Sequence, residues 1–284
     1  MKGIRPIIII GAARSGTTLL GEVLSQHSKL AYRLEPKYIW RFGNPGKKDD
    51  VRTTNECTPR IAEYIKGRFR RFVMRNKKER LLEKTPSNCF RVGFINKVYP
   101  DAQFIHLIRD GRQVAVSAEK KWTAVPDAPT LKRRFINMEI PVMEWPHYSA
   151  AVLRDVFGRL VFPEKGYIWG PHFPGIREFR KHHSIIETCA EQWRQSINYA
   201  LRQLEGLPGK RVIPVYYEDL CTNPAETIGK ILDYLELDHE EVKKYAESRI
   251  RLVKRKYSQP ETEKMMHIQT MIEEELKLLG YQIK

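Results

Sequence analysis

Long apolar runs are missing from this chain of 284 residues; the purely aliphatic stretch near its start, Ile7-Ile8-Ile9-Ile10, closes at Gly11. A bilayer span needs about 20 predominantly apolar residues, so membrane insertion is not expected. Cysteine is scarce. Cys57, Cys89, Cys189 and Cys221 are scattered, with no C-x-x-C pair and no histidine at a matching interval. That argues against a zinc site and leaves reduced or buried thiols as the expectation. The opening Met1-Lys2-Gly3-Ile4-Arg5-Pro6 is charged but has no apolar stretch or small-residue cleavage site behind it, so a cytoplasmic protein is expected. Internal repeats, low-complexity linkers and sharp shifts of composition are absent as well, and one domain over residues 1–284 follows as the expectation.

Acidic residues are also outnumbered. Lys and Arg total 50 against 34 Asp and Glu, a net charge of +16. A surplus of that size predicts attraction to anions, whether a nucleotide, an acidic acceptor or nucleic acid, and does not choose among them.

What is present reads as strands alternating with helices. The β-branched run 7–10 shows no polar alternation, which suits a central parallel strand covered on both faces. Leu19, Leu20, Val23 and Leu24 then recur at helical spacing. A Lys/Arg-rich helical stretch over 59–82 and a second helix over 90–98 lead to an apolar strand, Gln103-Phe104-Ile105-His106-Leu107-Ile108, after which helical spacing resumes at Val114. A long helix is expected over 185–204. A strand over 211–217 follows, where Pro214 argues for an edge or a bulge, and the tail 260–279 is again helical. The order predicts a parallel sheet wound on both sides. Residues 122–181 break the rhythm with Trp122, Trp145, Trp169 and many prolines; such an insertion suits a lid or acceptor-binding region.

The strongest local signal is Gly11-Ala12-Ala13-Arg14-Ser15-Gly16-Thr17-Thr18, set between strand and helix. Glycines let the backbone N–H groups and the helix N-terminus converge on a phosphate. In a nucleoside-triphosphate loop a lysine would follow the second glycine; here that position is Thr17, so a triphosphate loses its main cation. Thr17 and Thr18 offer hydroxyls and Arg14 a bidentate guanidinium to a single phosphate or sulfate. A second anion pocket is expected at Ile108-Arg109-Asp110-Gly111-Arg112, where Arg109 ends a strand and Ser117 lies about two helical turns on.

Together the G-x-x-R-S-G-T-T-L-L loop and the I-R-D-G-R-x-x-x-x-S segment resemble the sulfotransferase family. The resemblance implies a P-loop-like, nucleoside-kinase-like α/β fold of three layers, a central parallel sheet flanked by helices. It implies the donor 3′-phosphoadenosine 5′-phosphosulfate, no metal, residues 11–18 (Arg14, Ser15, Gly16, Thr17 and Thr18 among them) on the 5′ phosphosulfate, and Arg109 with Ser117 on the 3′-phosphate. Glu35, in Arg33-Leu34-Glu35-Pro36 after the first helix, matches the base of the branch acting on tyrosylproteins and glycans. Lys84, in Glu83-Lys84-Thr85-Pro86, resembles the lysine that meets the oxygen bridging phosphate and sulfate. The cytosolic small-molecule branch uses a histidine as base, which keeps His106 in reserve. Lys254-Arg255-Lys256 loosely resembles a basic segment that closes on the 3′-phosphate, and a solvated charge run explains it equally well. Trp193 and Tyr217-Glu218-Asp219-Leu220 also resemble family segments, but packing accounts for both. The acceptor is left open: an acidic carbohydrate, a protein or a metabolite.

Two rival readings remain. A P-loop nucleotide or sugar kinase shares the fold and would need Asp110 as a magnesium ligand. A nucleic-acid-binding module would use the positive charge, but the sequence shows no recognisable motif and the basic residues are spread along the whole chain, so no nucleic-acid partner is expected.

Overall fold

A computed structural model describes residues 4–44, 46–123, 168–207, 210–250 and 257–283. Among these residues five parallel strands form one sheet: β1 (Ile7–Ile10), β2 (Leu30–Leu34), β3 (Arg80–Lys84), β4 (Gln103–Ile108) and β5 (Val212–Tyr216), in the order β2-β3-β1-β4-β5. As expected, the run 7–10 is central and wholly buried, and Pro214 sits on an edge strand where its missing N–H costs no ladder bond.

Among the described residues the helices, in chain order, are α1 (Thr17–Leu24), α2 (Lys37–Arg41), α3 (Pro59–Arg75), α4 (Val92–Val98), α5 (Gly111–Thr123), α6 (Ile176–His182), α7 (Ile185–Glu205), α8 (Tyr217–Thr222), α9 (Pro224–Leu235), α10 (Glu240–Arg249), α11 (Gln259–Gln269) and α12 (Glu273–Leu278). Strand period fixes the layers. Ile8 and Ile10 face one side and pack with Ile65 and Phe69 of α3 and Phe94 and Ile95 of α4. Ile7 and Ile9 face the other, against Leu20 and Val23 of α1 and Ile228 and Leu232 of α9. Burying each of these side chains contributes roughly 1.5–3 kcal/mol. A third cluster joins α5, α7, α11 and α12 around Val114, Trp193, Ile197 and Leu276. Local signals set the helix starts: Thr58 caps α3 with Pro59 in its first turn, and Ser184 with Glu187 forms a capping box on α7.

Two elements differ from the sequence reading. The stretch read as one helix over 59–82 ends at Arg75, and residues 80–84 form β3. Arg, Leu, Glu and Lys are good helix formers, but pairing with β1 and β2 on both sides overrides that weak preference. Glu35, read as following the first helix, is separated from α1 by the whole of β2.

Because every strand is parallel, the segments after all five emerge at one rim. The chain passes from β1 to β2 and back to β3 on one flank of β1, then to β4 on the other, so that rim is divided at a topological switch point beside β1.

Candidate active site

The loop after β1 wraps that switch point. Gly16 adopts φ +91° as the N-cap of α1, and a Cβ there would lie 2.4 Å from the Tyr217 ring, so only glycine fits on both counts. Arg14 takes φ +75° without being glycine, a conformation costing on the order of 1–3 kcal/mol and often held at functional sites. Ser15 is 1% exposed, and its Oγ has no hydrogen-bond partner among the described residues. An orphaned buried hydroxyl is costly unless something else satisfies it. Thr17 is buried as well, in the first turn of α1, whose N-terminal dipole is positive and whose first turn holds no acidic residue.

Arg109 leaves β4 against this loop. Its Nη1 donates to the Arg14 carbonyl at 3.1 Å and its Nη2 to Gln113 Oε1 at 3.2 Å, while its guanidinium lies 4.1 Å above the Tyr217 ring. None of these partners is anionic, and the buried Nε has none among the described residues. Ser117 on α5 accepts from Arg14 Nε at 3.2 Å, so the two expected anion pockets touch. Gly111 makes room for this arrangement: a Cβ there would lie 2.6 Å from the Trp193 ring, whose Nε1 donates to the Arg109 carbonyl at 3.1 Å. Tyr217 and Trp193, read from the sequence as packing residues, thus pack against the loop and the arginine themselves. The available signal for Tyr217 was its position just beyond the end of β5.

On the other flank, β2 and β3 pair with Leu34 opposite Lys84, which delivers the next residue, Glu35, to the same rim. Glu35 adopts φ +50°, and its N–H donates to the Lys84 carbonyl at 2.8 Å. Lys84 is nearly enclosed at 3% exposure and donates through Nζ to Glu35 Oε1 at 2.8 Å; Lys37 lies 3.7 Å from Oε2. A half-exposed carboxylate between two ammonium groups is the result. Glu83, next to Lys84, is fully buried; Thr85 Oγ1 and Asn88 Nδ2 each donate to it at 2.5 Å, and burial pushes its carboxyl up to about 7 against those bonds.

His106 lies within β4, paired with Ile10 and Pro214 and 2% exposed, where burial lowers it to about 4. Asp110 does not face the loop as a free carboxylate: the Arg112 guanidinium and backbone N–H hold it at 2.7–3.3 Å. A magnesium-ligand role would first require breaking that pair. Residues 254–256, and residues 124–167 of the expected acceptor region, lie outside the described residues.

A parallel sheet with a phosphate-type loop after its central strand defines a P-loop-like α/β protein. The model of the "Sulfotransferase family" matches residues 6–165 and 152–241, and the chain belongs to that family. A putative protein-tyrosine sulfotransferase of Caenorhabditis briggsae is 24% identical over 83% of this chain and 66% of its own length. A protein from Aquifex aeolicus is 31% identical over 40% of this chain and 16% of its own. The chain therefore spans less than two thirds of the length of either relative. In fold it is similar to the sulfotransferase domain of the Synechococcus PCC 7002 olefin synthase, with TM-score 0.55, 18% identity and coverage of 100% and 98%.

Proposed function

We propose that the chain transfers a sulfuryl group from 3′-phosphoadenosine 5′-phosphosulfate to a hydroxyl or amine acceptor by in-line displacement. The observation that carries this reading is the meeting of the glycine loop after β1 with Arg109 after β4 at the switch point of a sulfotransferase-family sheet, where buried Ser15 Oγ and Arg109 Nε have no partner among the described residues. Buried polar groups are normally satisfied, and two such donors beside a positive helix end suit an anionic nucleotide. Arg14, Ser15, Gly16, Thr17 and Thr18 would hold its 5′ end, and Arg109 with Ser117 its 3′-phosphate. When bound, the donor supplies an activated sulfuryl group. The remaining tasks fall to the protein.

Glu35 takes the proton from the acceptor as its oxygen or nitrogen attacks. Lys84 faces the oxygen that departs with the nucleotide, where negative charge grows. Its ammonium has three N–H donors, so the bond to Glu35 leaves two for that oxygen. The net charge of +16 favours an acidic acceptor, whether carbohydrate, protein or metabolite, and the tyrosine-modifying relative makes a peptide tyrosine one candidate. In this reading residues 1–284 form one cytoplasmic domain and 122–181 contact the acceptor.

The test is transfer of isotope-labelled sulfuryl from the donor to a panel of an acidic tyrosine peptide, an acidic polysaccharide and a simple phenol. Labelled product with at least one acceptor, lost in Glu35→Gln and Lys84→Met, supports the reading. No label transfer together with consumption of ATP would overturn it in favour of a kinase.

A further inference from the structure

Behind Lys84 the chain makes a 3₁₀ turn, Pro86–Phe90, and a polar cluster ties this turn to a segment far away in sequence. Asp50, 13% exposed, stands at its centre. Its Oδ2 accepts from Ser87 Oγ at 2.9 Å and from the His172 N–H at 2.8 Å, and its own N–H donates to the His172 carbonyl at 2.8 Å. Oδ1 faces the wholly buried Arg91, whose Nη2 is 3.9 Å away and whose Nε donates to the Ser87 carbonyl at 3.2 Å. The Arg91 guanidinium holds the Asp50 carboxyl below the usual carboxylate range against the opposing effect of burial.

The segment that Asp50 grips, residues 169–173, is held from its other side too. Gln192 Nε2 donates to the carbonyls of Trp169 and Pro171 at 2.7 and 2.9 Å, and Phe173 is buried in the core. A small cavity of about 10 Å³, room for one water, separates Trp169 and Pro171 from Ala12 and Ala13 of the phosphate-type loop. The strap thus lines a cavity together with the donor loop and, through Asp50 and Ser87, is joined to the turn behind Lys84.

We propose that Asp50 is a positioning residue that couples the 169–173 strap to the Pro86–Phe90 turn, keeping the acceptor side of the site in register with Lys84. The inference rests on the reading of 122–181 as acceptor-contacting. Asp50 touches no reacting atom; it acts through Ser87. Ser87 has a side-chain hydroxyl whose hydrogen bond goes to Asp50, so removing it cuts the direct side-chain link from the turn to Asp50 while leaving the His172 contacts, the Arg91 pair and the Arg52 N–H bond to the Phe90 carbonyl in place. Asp50→Asn, with its amide oxygen at the Oδ2 position, keeps both accepted bonds but sets an amide nitrogen where Oδ1 faces Arg91, so that ion pair is lost.

The experiment is hydrogen–deuterium exchange of the full chain with and without adenosine 3′,5′-bisphosphate, in wild type, Ser87→Ala and Asp50→Ala. In wild type the nucleotide slows exchange in residues 11–18, 86–90 and 169–173. In both variants the slowing at 11–18 is retained with unchanged affinity, and the ligand-dependent slowing at 169–173 falls at least threefold. Asp50→Asn recovers most of it. For any acceptor found in the transfer panel, Ser87→Ala raises KM several-fold with a smaller change in kcat. Undiminished slowing at 169–173 in Ser87→Ala overturns the coupling. No slowing at 11–18 in wild type overturns the donor-site reading instead, so the two failures are distinguishable. If Asp50→Ala does not fold, Ser87→Ala and Asp50→Asn carry the test.

Discussion

At the scale of single residues, each assigned role has a distinct signature. Glu35→Gln keeps the shape and the Lys84 contact but removes the proton acceptor, so kcat falls about 10²–10⁴-fold while donor affinity changes little. Steady-state kinetics beside a binding titration checks this, and near-normal kcat would remove Glu35 from the base role. Gly16→Ala combines a left-handed backbone with a collision against Tyr217. A loss of about 1–3 kcal/mol in denaturant unfolding and a large drop in bisphosphate affinity are expected together; unchanged affinity would mean that the loop does not bind the nucleotide.

The individual residues were the most legible part of the sequence, because Arg14, Ser15, Glu35, Lys84, Arg109 and Ser117 stand in local patterns that the chain displays in order. Their convergence on one rim required the sheet. Asp50, Ser87 and His172 left no such trace, since residues so far apart meet only through the fold. Tyr217 was visible but undervalued: as a residue after a strand it reads as packing until Gly16 and Arg109 are placed beside it.

At the scale of elements, β3 and β4 carry two buried titratable groups with opposite effects on stability. His106 is held neutral on β4. Its folded value, about 4, lies below the unfolded 6.5, so its contribution is complete above the unfolded value and is lost as pH falls toward 4. Glu83 on β3 is held protonated. Its folded value, about 7, lies above the unfolded 4.5, so its contribution is complete below 4.5 and is lost as pH rises through 7. Over the shared window these two slopes oppose each other, and His27, which burial also lowers, adds to the His106 side. Relative to wild type, His106→Phe shifts the profile toward stability falling from pH 4.5 to 7, and Glu83→Gln shifts it toward stability rising over the same range. Each amounts to roughly 3 kcal/mol by the usual conversion of a pKa shift. Urea midpoints across that range test both, and parallel pH profiles for the two variants would contradict the assignment. The strands differed in how readily they could be read. β1 and β4 announce themselves as unbroken apolar runs. β3 has the composition of a helix, and only its neighbours make it extended, so the segment carrying Lys84 was read as following a helix when it ends a strand.

The whole molecule carries a charge of +16, and its candidate site gathers Arg14, Arg109, Lys84 and a helix N-terminus at one rim. Binding of an anionic nucleotide there is weakened by salt, because the more distant charges are screened once the Debye length falls from about 10 Å to about 3 Å. A several-fold loss of affinity between about 0.1 and 1 M salt is expected, and a salt-independent constant would confine the attraction to direct contacts. The alternation of strands and helices made the wound parallel sheet legible at this scale, whereas the strand order and the switch point depend on long-range pairing that no local pattern records. Calorimetric titration with adenosine 3′,5′-bisphosphate, alongside magnesium-ATP, on wild type and Arg109→Ala tests the central claim most directly. The account predicts tight binding of the bisphosphate, weak binding of ATP, and loss of the bisphosphate site in the variant. Preference for magnesium-ATP, or indifference to Arg109, would contradict it.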